Sequence, residues 1–289
     1  MADHSGVPIV TVAMSVLNGG DYLQLSVRSI VAQTLQNWEL LIFDDGSTDG
    51  AIDNLLPQKD PRIILIRDGV NKGLSARLNQ AINMARGRYF ARMDHDDLSH
   101  PSRLAEQVAF LDANPQTDLL ATKCLTINES NQAVGSLPFA CSHQEICARP
   151  WMGFPMPHPS WMGRVSWFRR HYYQDPAPYC CEDNELLLRA HETSVYHALE
   201  QQLLAYRIRS YSPWQKMWRT RKAMAAVQIS YFISRRDFRL ATLSCAALLL
   251  RVARDLMIGL LYRVGFPAVT VRATGKPPEN PEWIDRIGC

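Results

Sequence analysis

Three acids stand within four residues at Asp94-His95-Asp96-Asp97. Carboxylates packed this closely repel one another unless a cation neutralises them, and hard oxygen donors suit Mg²⁺ or Mn²⁺ completed by substrate phosphates. A second acidic run reads Asp44-Asp45-Gly46-Ser47-Thr48-Asp49-Gly50. A turn followed by a helix cap explains its glycine and serine. Two adjacent carboxylates after an apolar strand are also placed to accept hydrogen bonds from a base or a ribose. Asn71-Lys72-Gly73-Leu74-Ser75-Ala76-Arg77 opens a helix, where Lys72 and Arg77 could neutralise a phosphate or simply be solvated cations of a surface turn. Glu182-Asp183-Asn184-Glu185 starts another helix. Acids there favour the helix dipole, and one of them can equally serve as general base toward a hydroxyl. His158, held between Pro157 and Pro159, is a candidate metal ligand or acceptor contact. Trp151, Trp161 and Trp167 suggest a sugar-binding surface.

The elements that must position these groups follow from hydrophobic periodicity. A continuous apolar run at residues 9–16 predicts a strand buried on both faces, and residues 39–43, 62–66 and 88–93 read as three further strands. Helical spacing predicts helices over 21–35, 74–86 and 101–113, the last with Pro101 in its first turn. Such alternation means a parallel sheet covered on both faces by right-handed connections. Ligands then bind outside the C-terminal strand ends, where both acidic runs fall. No Gly-x-Gly-x-x-Gly follows the first strand; Asn18-Gly19-Gly20 stands there instead, which argues against a dinucleotide-binding dehydrogenase. The middle of the chain is less regular, with a helix over 182–191 and a strand over 203–208. After Pro213 the pattern is helical.

The chain has 289 residues, 47% of them hydrophobic, enough for a large core and inconsistent with disorder. Its seven cysteines show no CxxC or Cys/His ligand spacing and suit reduced thiols, with Cys180 and Cys181 as neighbouring core residues. No basic start with a following apolar run opens the chain, so a cytosolic location is expected. The net charge of +3 hides an asymmetry: residues 207–263 carry twelve Lys/Arg and two acids, leaving the remainder at about −7. Such a tail is attracted to a membrane surface or a nucleic acid. Arg251, Arg254 and Asp255 interrupt its apolar stretch before the roughly 20 residues of a membrane span. An interfacial helix pair with snorkelling arginines fits better, with Trp214 and Trp218 at headgroup level.

Taken in order, these motifs resemble the family 2 glycosyltransferases, and among them bacterial enzymes that build exopolysaccharide or O-antigen repeat units. The carriers are residues 12–18, Gln33-Thr34-Leu35, Trp38-Glu39-Leu40, residues 44–50, residues 71–77, residues 94–97 with Pro101, Arg103 and Leu104, residues 158–162, and Glu182-Asp183 with Glu185-Leu186. They span about residues 8–190, roughly two-thirds of the chain. The resemblance implies an α/β chain of the GT-A (nucleotide-diphospho-sugar transferase) fold, a mostly parallel sheet flanked by helices, plus a helical C-terminal tail. It implies a donor half over 1–115, an acceptor half over 116–210 and a basic amphipathic tail over 211–289. Ser15 and Asp45 match nucleoside-holding positions, joined on the donor side by Lys72, Arg77 and Asp94. Asp94 and Asp96 match the metal–diphosphate motif for Mn²⁺ or Mg²⁺, with His158 a further metal candidate. Asp183 matches the general base of inverting members, and Glu182, His158 and Trp161 fall on the acceptor side.

The implied activity is transfer of a sugar from a nucleotide diphosphate to a hydroxyl of a saccharide or lipid-linked saccharide. The expected place is the cytoplasmic face of the inner membrane, with no nucleic-acid partner. A polyprenyl-phosphate sugar transferase and a non-catalytic membrane or nucleic-acid adaptor are the alternatives.

Overall fold

The computed structural model describes residues 6–55, 60–209, 214–263 and 279–288. Residues 1–5, the expected boundary at 210–213, and Cys289 lie outside them. The first four predicted strands form as β1 (Val10–Val16), β2 (Trp38–Asp44), β3 (Ile63–Arg67) and β4 (Tyr89–Asp94). The helices between and after them are α1 (Gly20–Val31), α2 (Leu74–Met84) and, beyond the two-residue β5 (Leu98–Ser99), α3 (Arg103–Ala113). The middle adds β6 (Leu119–Ile127), β7 (Ala133–Ser136), α4 (His143–Ile146), β8 (Met162–Arg164), α5 (Val165–Arg170), α6 (Glu182–Ala190) and β9 (Tyr196–Arg207). The tail holds α7 (Trp214–Ser234), α8 (Phe238–Arg263) and α9 (Glu282–Gly288).

One nine-stranded sheet runs β3-β2-β1-β4-β8-β6-β9-β5, with β7 on β6. From β3 to β4 every pairing is parallel, as the strand–helix alternation requires. Beyond β4 the sheet becomes mixed: β8 lies antiparallel to both β4 and β6, while β6 and β9 run parallel. Gly163 sits at that seam, where a Cβ would stand 2.7 Å from the Asp118 carbonyl oxygen. The period-two alternation of β1 divides the core. Val12 and Met14 pack with Leu23, Val27 and Leu104 of α1 and α3, and Ala13 packs on the other face with Leu78, Ile82 and Trp161.

Register is what builds the site. Ser15 lies opposite Phe43 on one side and Asp94 on the other, and Val16 lies opposite Asp44, so both acidic runs leave the same sheet edge. Two carriers of the family resemblance serve as scaffold. Gln33 donates to the Ser29 and His100 carbonyls at 3.0 and 2.7 Å while its Oε1 accepts from Leu104 N at 3.0 Å. Glu39 accepts from Thr11 Oγ1 at 2.6 Å and from Arg86 Nε at 2.7 Å. In the tail, α7 and α8 pack against each other, with α6 and the turn at residues 150–152 beneath them. No helix among the described residues is long and apolar enough to cross a membrane. Cys181 is buried as expected, whereas Cys180 is exposed with φ of 49°, so the adjacent thiols are not both core residues.

Candidate active site

The loops after β1 and β2 close on each other: Thr48 N donates to Asn18 Oδ1 at 2.8 Å, and Asn18 N donates to Ser47 Oγ at 3.0 Å. Ser15 lies just before them on β1, where its carbonyl faces His95 Nδ1 at 3.2 Å. The Asp45 carboxylate is buried and accepts from the backbone N–H groups of Lys72 and Gly73 at 2.7 and 3.0 Å and from Arg77 Nε at 2.8 Å. It therefore holds the start of α2 in place.

Arg77 corrects the phosphate-binding expectation. Its side chain is wholly buried, and its donors go to Asp45, Asp68, Gln80 and the carbonyls of Asp44 and Val70. With no free donor, it acts as an internal clamp, and its bonds with Asp68 and Asp45 outweigh burial and raise its pKa. Lys72 stays at the surface, with Nζ 2.6 Å from Asp68.

On the β4 side, Asp94 receives both terminal nitrogens of Arg92, at 2.9 and 2.5 Å. Asp96 is partly exposed, with Arg209 3.7 Å away. Asp97 is buried: one carboxylate oxygen accepts from Arg207 N at 2.8 Å, and the other has no partner. Burial, then the charges of Asp94 and Asp96, push the Asp97 carboxyl well above its ordinary range. Arg207 fastens this loop by donating to the carbonyls of Asp96 and Asn128 at 2.7 and 2.8 Å, with its guanidinium over the Tyr22 ring.

The third part is the N-terminus of α6. Glu182 and Asp183 are both raised, by burial first, Glu182 to about 7 with its neighbour's charge adding to the effect. Asp183 Oδ1 accepts from Asn184 N at 2.7 Å. His158 Nε2 lies 2.7 Å from the Tyr173 hydroxyl and its Nδ1 is 3.8 Å from Glu182. Burial and the charge of Arg92 lower its pKa, so the imidazole is neutral. Arg92 itself is buried but remains cationic, because Asp94, Glu182 and Asp97 outweigh the burial that opposes its charge.

Arg92 thus pairs with Asp94 of the acidic loop while its charge acts on both acids of α6. Sequence reasoning passed over it as one residue of a strand. The available signal was its position two residues before Asp94, which puts both side chains on one face. Trp161 is a second correction: it is fully buried and donates from Nε1 to the Met156 carbonyl at 3.2 Å. Trp167 is likewise buried, so two of the three tryptophans expected to line a sugar surface are core packing, while Trp151 is half-buried.

No group of three or more His, Cys, Asp or Glu is gathered to hold a metal among the described residues, so His158 is not assembled with Asp94 and Asp96. Asp94 and Asp96 still fit a hard divalent cation, which needs only one or two carboxylates when phosphates complete the shell. The unpartnered oxygen of Asp97 beside them is consistent with such a site.

This sheet, with both acidic runs on one edge, is the GT-A glycosyltransferase fold. It is shared with S. aureus TarS 1–349 in complex with UDP (TM-score 0.59, 16% identity, 76% of this chain and 65% of that one). It is shared also with the Pyrobaculum calidifontis mannosyltransferase PcManGT in complex with GDP-Man and Mn²⁺ (TM-score 0.56, 17% identity, 90% and 77%). Residues 11–171 match the model of glycosyl transferase family 2, and the chain belongs to that family. It is 36% identical over 165 residues to the putative glycosyltransferase EpsE of Bacillus subtilis, covering 56% of this chain and 58% of that relative. Over 104 residues it is 35% identical to the Escherichia coli UDP-Glc:alpha-D-GlcNAc-diphosphoundecaprenol beta-1,3-glucosyltransferase WfaP, covering 36% and 41%. The matched segments span less than two-thirds of either relative.

Proposed function

We propose that this chain transfers a sugar, with inversion, from a nucleoside diphosphate to a hydroxyl of a saccharide acceptor in bacterial surface-polysaccharide synthesis. The observation that carries the reading is buried Arg92, which pairs with Asp94 while its charge acts on the α6 acids Glu182 and Asp183. It sets a diphosphate-binding loop beside candidate bases, which a single displacement needs. The donor nucleoside lies over Ser15 and Asp45. Asp94 and Asp96 would hold a divalent cation, which when bound would supply Lewis-acid stabilisation to the departing diphosphate. Asp183 takes the proton from the acceptor hydroxyl as its oxygen attacks the anomeric carbon opposite the leaving group. Glu182 and neutral His158 border the acceptor.

The donor half is assigned to residues 1–115, the acceptor half to 116–210 and the tail to 211–289. A lipid-linked acceptor is supported by the name of WfaP, and it places the chain on the cytoplasmic membrane face with its tail as the membrane contact. The test is a thermal-shift screen against UDP, GDP, TDP and CMP, each with and without Mn²⁺ or Mg²⁺. Stabilisation by one nucleotide that needs the metal and is lost in Asp96→Ala is the expected result. No response to any nucleotide overturns the reading.

A further inference from the structure

Helix α8 turns one long face to solvent, charged only at its Phe238 end, by Arg239. Phe238, Thr242, Cys245, Leu249, Ala253 and Leu256 follow one another at intervals of three and four residues, all exposed. Leu250 and Met257 widen the stripe, and more than half of the surface of Phe238, Leu249, Leu250, Leu256 and Met257 is open. From Phe238 to Met257 the stripe is about 28 Å long. A largely uncharged band of this size on a folded chain marks an interaction surface.

The neighbouring cations are largely spent inside the protein. Arg251 donates to the Met152 carbonyl at 2.6 Å, and Arg221 and Arg254 both pair with Asp255 at 3.1 and 3.3 Å. Asp255 is the one acid on the described part of α8, and it is buried. Exposed Arg236 and Arg239 remain at the Phe238 end. Anionic headgroups meet these two arginines favourably.

We propose that this face of α8 lies in the plane of a lipid bilayer, its apolar side chains at the acyl boundary and Arg236 and Arg239 at the headgroups. The inference rests on the membrane reading above and changes its physics: apolar insertion, not the basic charge of the tail, holds the protein there.

The test is flotation of the full chain with phosphatidylcholine vesicles, with and without phosphatidylglycerol, at low and high salt. Wild type binds both, the anionic lipid tightens binding several-fold, and salt removes only that increment. Leu249→Glu with Leu250→Glu lowers binding at least tenfold while the melting temperature and nucleotide response stay unchanged. Four results overturn the proposal: no flotation of wild type, undiminished flotation of the double variant, complete release by salt, or a wild-type dimer that does not float and that the double variant splits. Flotation needs no donor, so the nucleotide screen and this experiment can fail independently.

Discussion

Asp183 and Glu182 are consecutive half-buried acids, and partial burial raises both, Glu182 to about 7. Asp183→Asn is expected to lower turnover by roughly 10²–10⁴ with nucleotide affinity nearly unchanged, because a general base acts on the acceptor and not on the donor. Steady-state kinetics beside calorimetric nucleotide binding checks this. The pair also sets a pH limb. A base must be ionised to act, and burial raises the Asp183 carboxyl above its ordinary range, so the rate should rise with pH as that carboxyl loses its proton. Glu182→Gln removes a neighbouring carboxylate and should move that limb to lower pH, as a kcat–pH profile would show. Stability runs the other way. The folded state holds a proton that the unfolded chain releases, so Glu182's contribution is full below the ordinary glutamate range and is lost as pH rises through about 7. At this scale the sequence made the acidic clusters visible, because their spacing is local. Arg92 and Tyr173 were not visible, because one comes from β4 and the other from the loop before α6.

At the scale of elements, local pattern served where strands are continuous apolar runs. β1 to β4 were expected within about a residue at most ends. β6 and most of β9 escaped notice for a physical reason. Lys123 interrupts one and Glu200-Gln201-Gln202 the other, and their pairing register shifts on both sides of Lys123. Such strands are defined by partners far away in sequence, which no local period records. The two overturned side-chain roles yield predictions here. Arg77→Met leaves Asp45 buried without its guanidinium and should cost about 3–5 kcal/mol in urea denaturation. Trp161→Ala should cost about 3–5 kcal/mol by the cavity it opens between sheet and helices. A Trp161→Ala protein of unchanged stability and weakened acceptor binding would restore the sugar-surface role.

Taken whole, the molecule is one sheet with a helical pair mounted on the acceptor side and α9 returning to the far edge. There Ile284 and Ile287 pack with Leu98, Leu125, Ile127 and Ala205, next to the strand that follows the acidic loop. Ile284→Asp should therefore lower the melting temperature by several degrees, and the metal-dependent nucleotide response should weaken with it, both read in one thermal-shift series. Beside that helical pair a chain of contacts ends at Asp183, the proposed base. Arg251 of α8 grips the Met152 carbonyl; the next residue, Gly153, has φ of 90° and no room for a side chain, since a Cβ would lie 2.5 Å from Met224 and 2.6 Å from Asn184 Oδ1. Asn184 in turn donates to Asp183. The proposed membrane face of α8 and the proposed base, Asp183, are thus separated by one glycine and one amide. On those two proposed roles the arrangement is a lever: a displacement of α8 is delivered to Asp183 with little slack, and turnover becomes a property of the surface on which the enzyme sits as well as of its substrates.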